Sequence, residues 1–262
     1  MYKKIISLLI LFMFACCGCG KKNEEPITSD LDNIISRDKL VIGVRTDVYP
    51  FGYIDEKGHN VGYDVSLGRL IARGILGNDK KVRFVKVTAS DRMMKLYAGE
   101  VDMLIATMSV TPRRQEILDF SNSYYIAGQS LLVNRGSKVR SLKGLNSKRA
   151  IIVFGSTSEK SLRAAIPDVK IIGYKTYTEA YKALKAGKGD AIVSDDTILL
   201  GIALKDKSVE LLPKKYTKEP YAIAFRKGPE SNELIEAVNN VIEIETKNGH
   251  LKNLQKSFGI RK

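Results

Sequence analysis

Apolar residues in this chain fall into short unbroken runs separated by series at helical spacing. Lys39-Leu-Val-Ile-Gly-Val44 is a run that suits a central strand. The segment from Tyr49 to His59 carries its turn at Gly58 and predicts a loop and hairpin. Tyr63, Leu67, Leu70, Ile71 and Ile75 then recur on one helical face, closed by Gly77-Asn78-Asp79. Lys81 to Val87 predicts a second strand, and Ser90 is placed to cap a helix through Arg92, Met93, Met94 and Tyr97, with both methionines expected in the core. Gly99 stops that helix, and Val101 to Ala106 is a third strand, apolar throughout and therefore suited to the middle of a parallel sheet.

The order then repeats. Gln129 to Val133, Arg149 to Phe154, Val169 to Tyr174 and Asp190 to Ser194 predict strands; helices are expected to Ala165 after Gly155-Ser-Thr-Ser158 and over Glu179 to Ala186, the latter capped by Thr178. Strands alternating with helices imply mostly parallel sheets. Leu96-Tyr-Ala-Gly-Glu-Val-Asp102 and Leu184-Lys-Ala-Gly-Lys-Gly-Asp190 share the pattern L-x-A-G-x-x-D, each before an apolar strand. The match implies two lobes of similar build, each presenting its strand ends to a shared cleft. Tyr221 to Phe225 is a late strand, and Leu234, Val238, Val241, Ile242 and Leu251 mark two helices split at Asn248-Gly249. A crossing near Tyr124 to Gly128 and a return near Glu219 to Ala222 would join the lobes by two strands, a natural hinge.

Polar groups gather where the strands end. Thr107, Ser109 and Thr111 alternate after the Val101 to Ala106 run; Pro112 takes the first helical position behind a Thr111 cap, with Arg114 in that turn. Hydroxyls, free backbone N–H groups and an arginine at the carboxyl edge of a sheet suit a small carboxylate. Arg45 ends the first strand in the same manner.

Composition changes this picture at one end. Lys3 and Lys4 precede the apolar run Ile5 to Ala15, the form of a secretory leader and short for a bilayer span. All three cysteines, Cys16, Cys17 and Cys19, follow it, with no histidine nearby to complete a metal site. The polar residues up to Asp30 suit a flexible tether. The net charge is +14, or +12 without the leader lysines, but the lysines are scattered singly, which excludes the basic stripe of a nucleic-acid binder.

These residues resemble a family. The chain is similar to bacterial extracytoplasmic solute-binding proteins of the polar amino-acid class (family 3) from about Lys39 to Gly259. The likeness rests on Val61-Gly-Tyr-Asp64, Gly99-Glu-Val-Asp102, Thr111-Pro-Arg-Arg114, Asp119-Phe-Ser121, Tyr124-Tyr125, Gly155-Ser-Thr-Ser-Glu159 and Asn248-Gly249. It implies an α/β fold of two Rossmann-like lobes joined by a two-strand hinge with ligand in the cleft, the periplasmic binding protein type II arrangement. The expected divisions are a lipoprotein signal peptide over 1–18, a lipidated tether over 19–30, lobe I over 31–125 plus 221–262, and lobe II over 126–220. The cysteine cluster resembles a lipoprotein processing site, with Cys19 the best candidate for lipidation and Cys16 and Cys17 the alternatives.

By the matching motifs, Arg114 would clamp an α-carboxylate bidentately, Ser109 and Thr157 would complete that shell, and Asp195 would accept the α-ammonium. Strand alternation favours Asp195 over Asp196. Arg45, Arg92 and Thr107 match the aspartate/glutamate-binding branch, and Tyr177 is a candidate for the rim. Arg45, Arg92, Arg114 and Asp195 together carry an excess of positive charge, which implies aspartate or glutamate as ligand; a neutral guest would leave a guanidinium buried and unpaired. Tyr49, Thr107 and Ser257 depart from the family's usual proline, glycine and tryptophan. The implied role is the lipid-anchored, monomeric substrate-binding component of an ABC importer, working with permease and ATPase subunits outside the cytoplasm, with no cofactor, metal or nucleic acid. Another polar amino acid such as glutamine or cystine, a signalling role, and a secreted dehydratase-like enzyme are the alternatives. Catalysis would need a general acid or base in the cleft, and His59 and His250 lie elsewhere in the sequence.

Overall fold

The computed structural model describes residues 29–260. The leader and the candidate cysteines lie outside those residues. Among the described residues no helix is long and apolar enough to cross a membrane.

The first strand, Leu40–Val44, is buried along its whole length. Its alternate residues serve opposite layers: Leu40, Ile42 and Val44 join the core with Leu67 and Ile71, while Val41 packs with Leu96, Val101 and Leu104. Val82–Lys86 and Met103–Ile105 flank it in parallel. Ala224–Arg226 then adds antiparallel to Met103–Ile105, and Leu118–Phe120 closes this five-stranded sheet. The helix Tyr63–Leu76 covers one face. It packs in turn against Asn232–Lys247 and His250–Ser257, which bury Leu234, Val238, Val241, Ile242 and Leu251.

The second sheet repeats the plan. Arg149–Val153 is flanked in parallel by Lys170–Tyr174 and Ala191–Asp195, and Gln129–Asn134 and Val209–Leu211 extend it antiparallel. The repeat seen in the sequence has a physical basis. Gly99 and Gly187 both adopt left-handed backbones, at φ 71° and 67°, and Leu96 and Leu184 are both fully buried. Asp102 accepts the Val41 N–H at 2.7 Å, and Asp190 accepts the Arg149 N–H at 2.8 Å. Each aspartate thus ties its own strand, the middle one of its sheet, to the start of the parallel strand beside it, and satisfies a backbone donor that the ladder leaves open.

Two short strands, Tyr125–Ala127 and Glu219–Tyr221, pair antiparallel between the sheets and form the crossover ribbon. Phe51 packs edge-on against Tyr63, Tyr125 and Tyr221, anchoring the ribbon to the first lobe. The lobes are closed upon each other. A Cβ at Gly155 would lie 2.2 Å from the Ala89 carbonyl oxygen, and one at Gly201 would lie 2.0 Å from that of Tyr49, so both contacts require glycine.

Several local expectations need correction. The helix Tyr177–Lys185 is capped by Thr176 rather than Thr178, in a reciprocal capping box with Glu179. Ser90 does not cap Arg92–Tyr97; Thr88 and Asp91 instead exchange side-chain and backbone hydrogen bonds ahead of it. Met94 is exposed, and only Met93 packs against the core. Ser29 and Asp30, placed at the end of the tether, already belong to the fold: Ser29 caps the helix Asp30–Ser36, and Asp30 accepts from Ser231 and pairs with Arg226.

Candidate functional site

A narrow cavity lies in the closed cleft. Arg45, Ala89, Arg92, Thr107, Ser109 and Arg114 form its first-lobe wall; Ser156, Thr157, Tyr177, Asp195 and Ile198 form the other. The structure therefore brings all eight sequence-derived candidates together. Chain geometry explains the convergence. Arg45 follows the strand Leu40–Val44, Thr107 and Ser109 follow Met103–Ile105, and Asp195 ends Ala191–Asp195. Thr157, Tyr177 and Asp195 stand at the starts of three helices. Asp196 points away and pairs with Lys215 at 2.7 Å.

The three guanidinium groups are held differently. Arg45, 1% exposed, grips Asp47 through contacts of 2.7–2.9 Å and lies 5.4 Å from the Tyr177 ring centroid. Asp47 was missing from the sequence-based charge count. That count is corrected: three arginines against Asp47 and Asp195 leave one positive charge in excess, with the buried carboxyl of Asp64 behind the wall facing Arg45 and Arg92 and offsetting part of it when ionised. Arg114 donates to the Ser109 carbonyl at 2.7 Å and to that of Gly155 at 2.9 Å. Arg92, 3% exposed, has only carbonyl partners, Ala106 at 2.6 Å with Thr107 and Gly155 farther off. Its Nε has no partner among the described residues. Burial, with Arg114 and Arg45 adding repulsion, pushes Arg92 down to about 9, still protonated at neutral pH.

Asp195 is buried with Gln129 donating at 3.1 Å and the Tyr221 hydroxyl at 2.5 Å. Burial raises its carboxyl to about 7, against the lowering effect of the Tyr221 hydrogen bond. Tyr177 hydrogen-bonds Ser194 at 2.6 Å. Burial pushes its phenol up to about 12, so it stays neutral. Thr107 has φ 47°, which gives physical meaning to its departure from the family's usual glycine, and its buried hydroxyl oxygen has no partner.

Sequence reasoning missed Asp47, Gln129 and Tyr221. Asp47 carried a usable signal, since it follows Arg45 by two residues where the chain is extended and shares its face. Gln129 and Tyr221 carried none, because their importance comes from ribbon and sheet pairing between distant segments.

Two facing α/β lobes, a two-strand crossover and a closed cavity lined by fixed charges define a protein that encloses a small polar molecule. The chain belongs to the bacterial extracellular solute-binding proteins, family 3, matched over residues 40–260. It is 39% identical over 230 residues to the ABC transporter glutamine-binding protein GlnH of Bacillus subtilis, covering 86% of this chain and 84% of that one. It is 26% identical over 256 residues to the glutamate/aspartate import solute-binding protein of Escherichia coli, covering 93% and 84%. Among solved structures, the cysteine-binding protein of Campylobacter jejuni superposes with a TM-score of 0.83 at 31% identity, covering 88% and 92%.

Proposed function

We propose that this chain captures an acidic amino acid, aspartate or glutamate, outside the cytoplasm and delivers it to the permease and ATPase of an ABC importer, acting as a monomer held to the membrane by lipid on Cys19. Arg114 receives the α-carboxylate, with Ser109 and Thr157 beside it, and Asp195 receives the α-ammonium. Arg92 receives the side-chain carboxylate, with Arg45 behind it and Thr107 and Tyr177 bounding the cavity. The observation that carries this reading is Arg92: a buried guanidinium with an unpartnered Nε and no carboxylate in contact. A ligand of net charge −1 neutralises the excess left after Asp47 is counted, whereas a cationic ligand would add to it.

Glutamine is the second reading. The Arg45–Asp47 pair lowers the cavity's positive excess, and the 39% identical relative is named for glutamine. A carboxamide oxygen would accept from Arg92, but would leave the remaining charge without a counter-ion. Binding rather than catalysis is favoured because the relatives are named as binding proteins and Asp195 serves as the ammonium acceptor.

Calorimetry on the chain beginning after Lys22, titrated with aspartate, glutamate, glutamine, cystine and arginine, tests the assignment. Aspartate or glutamate should bind most tightly. Uptake of glutamine with neither acidic amino acid bound would overturn it.

A further inference from the structure

Of the buried carboxylates outside the cavity wall that the mechanism above leaves unused, Asp64 is the most deeply enclosed among the described residues. Asp64, in the first turn of the helix Tyr63–Leu76, is 0% exposed. One of its oxygens accepts the Thr107 N–H at 3.0 Å and the other accepts the Tyr124 hydroxyl at 3.0 Å. Both donors matter to the site. Thr107 is a β-branched residue in the left-handed region, a conformation that persists only when its surroundings impose it. Its hydroxyl, buried and unpartnered, belongs to the cavity wall. Tyr124 immediately precedes the ribbon strand Tyr125–Ala127.

We propose that Asp64 is a positioning residue of the ligand site: by accepting from Thr107 and Tyr124 together, it holds Thr107 in the conformation that lines the cavity and fastens that strand end to the crossover. The inference rests on the cavity being the ligand site, though not on which amino acid enters it. An oxygen acceptor at this point gives the Thr107 N–H a partner that the sheet does not supply, since the strand Met103–Ile105 has already ended. The groups facing Asp64 are Tyr63 on its own helix, Tyr124 before the ribbon, and the guanidinium groups of Arg45 and Arg92 from the first-lobe wall. Burial raises the Asp64 carboxyl to about 7, while Tyr124, Thr107 and the two arginines draw it down. Burial thus moves the carboxyl toward neutrality, and its hydrogen bond with the Thr107 N–H couples any change in its charge to that amide.

The first test needs no ligand. In amide NMR spectra of the protein recorded from pH 5 to 9, the Thr107 resonance should titrate with a midpoint near 7. Asp64→Asn should abolish that titration. Should this variant fail to fold, Tyr124→Phe removes the other donor and should move the midpoint upward, because the lost hydrogen bond favoured the charged form. A Thr107 resonance that stays flat in the parent, or is indifferent to both substitutions, overturns the proposal.

The second test is a double-mutant cycle by calorimetry with L-glutamate and L-glutamine. Asp64→Asn and Thr107→Gly should each weaken binding by about tenfold, and the pair should lose little more than Thr107→Gly alone, because a glycine needs no holding. Additive losses would mean that Asp64 acts on the fold at large, and would overturn the positioning role. A parent that binds glutamine and refuses glutamate would overturn the acidic assignment instead, leaving the cycle to be read with glutamine.

Discussion

Arg92→Ala separates binding from stability more sharply than any other substitution in the cavity. The side chain is 3% exposed, donates to the Ala106 carbonyl at 2.6 Å and keeps Nε free. Under the proposed function, the ligand's second carboxylate completes its shell. Truncating one member of a buried, hydrogen-bonded charge pair costs about 2–5 kcal/mol. Glutamate affinity should therefore fall by about 30- to 4,000-fold at about 1.4 kcal/mol per decade. Arg92→Lys keeps a charge but loses the fork, and should fall between variant and parent. Heat stability should move the other way. Burial and the neighbouring guanidinium groups of Arg114 and Arg45 depress the Arg92 pKa, so the folded state penalises the charge that Arg92 carries at neutral pH. Removing it relieves that penalty, and the ligand-free variant should melt no lower than the parent. Calorimetry with glutamate and a thermal scan without ligand make the comparison. A glutamate Kd within about threefold of the parent would refute the role given to Arg92, since even a weak buried charge pair exceeds that.

Asp47→Asn frees Arg45 of its counter-charge and should raise the ratio of glutamate to glutamine affinity by about tenfold; an unchanged ratio in paired titrations would remove Asp47 from the cavity's electrostatics. Affinity should weaken as pH falls below 7, because Asp195 must give up its proton to accept an ammonium, by up to about tenfold per pH unit. Ligand-free stability should run in the opposite sense. The folded-state value of Asp195 lies above the unfolded one near 3.8, so its contribution is full below that value and is lost as pH rises through about 7; Asp195→Asn should flatten both profiles. Gly201→Ala should favour its own helix by up to about 1 kcal/mol while driving a methyl against the Tyr49 carbonyl. The expected pair of results is weaker ligand binding without a lower melting temperature, and unchanged binding would show that this contact does not govern closure.

Periodicity exposed the frame because the inner strands, such as Leu40–Val44 and Met103–Ile105, are buried on both faces and the helices that cover them on one, which restricts the kind of residue those positions accept. The L-x-A-G-x-x-D repeat was legible for a stronger reason. A left-handed glycine and an aspartate that accepts a neighbouring strand's N–H are demands that few other residues meet, so the same local problem drew the same solution twice. Arg45, Arg92 and Arg114 were legible by their stations at strand ends and helix starts. Their partners were not. Asp64 reaches Thr107 across 43 positions and Tyr124 across 60, and Tyr221 reaches Asp195 only because the ribbon brings it there. Helix starts were misplaced by two residues at Thr178 and by one at Ser90 because several side chains compete for each cap and the sequence does not say which carbonyl turns first.

Ala127 and Glu219 sit opposite each other in the crossover ribbon, so the polypeptide between them leaves the first sheet and rejoins it through a single doorway. The second half is in this sense a guest domain, spliced into its host at neighbouring points. It could be excised and its host resealed with a tight turn, or exchanged for that of a cousin with other tastes, while the host's own strand order stayed intact.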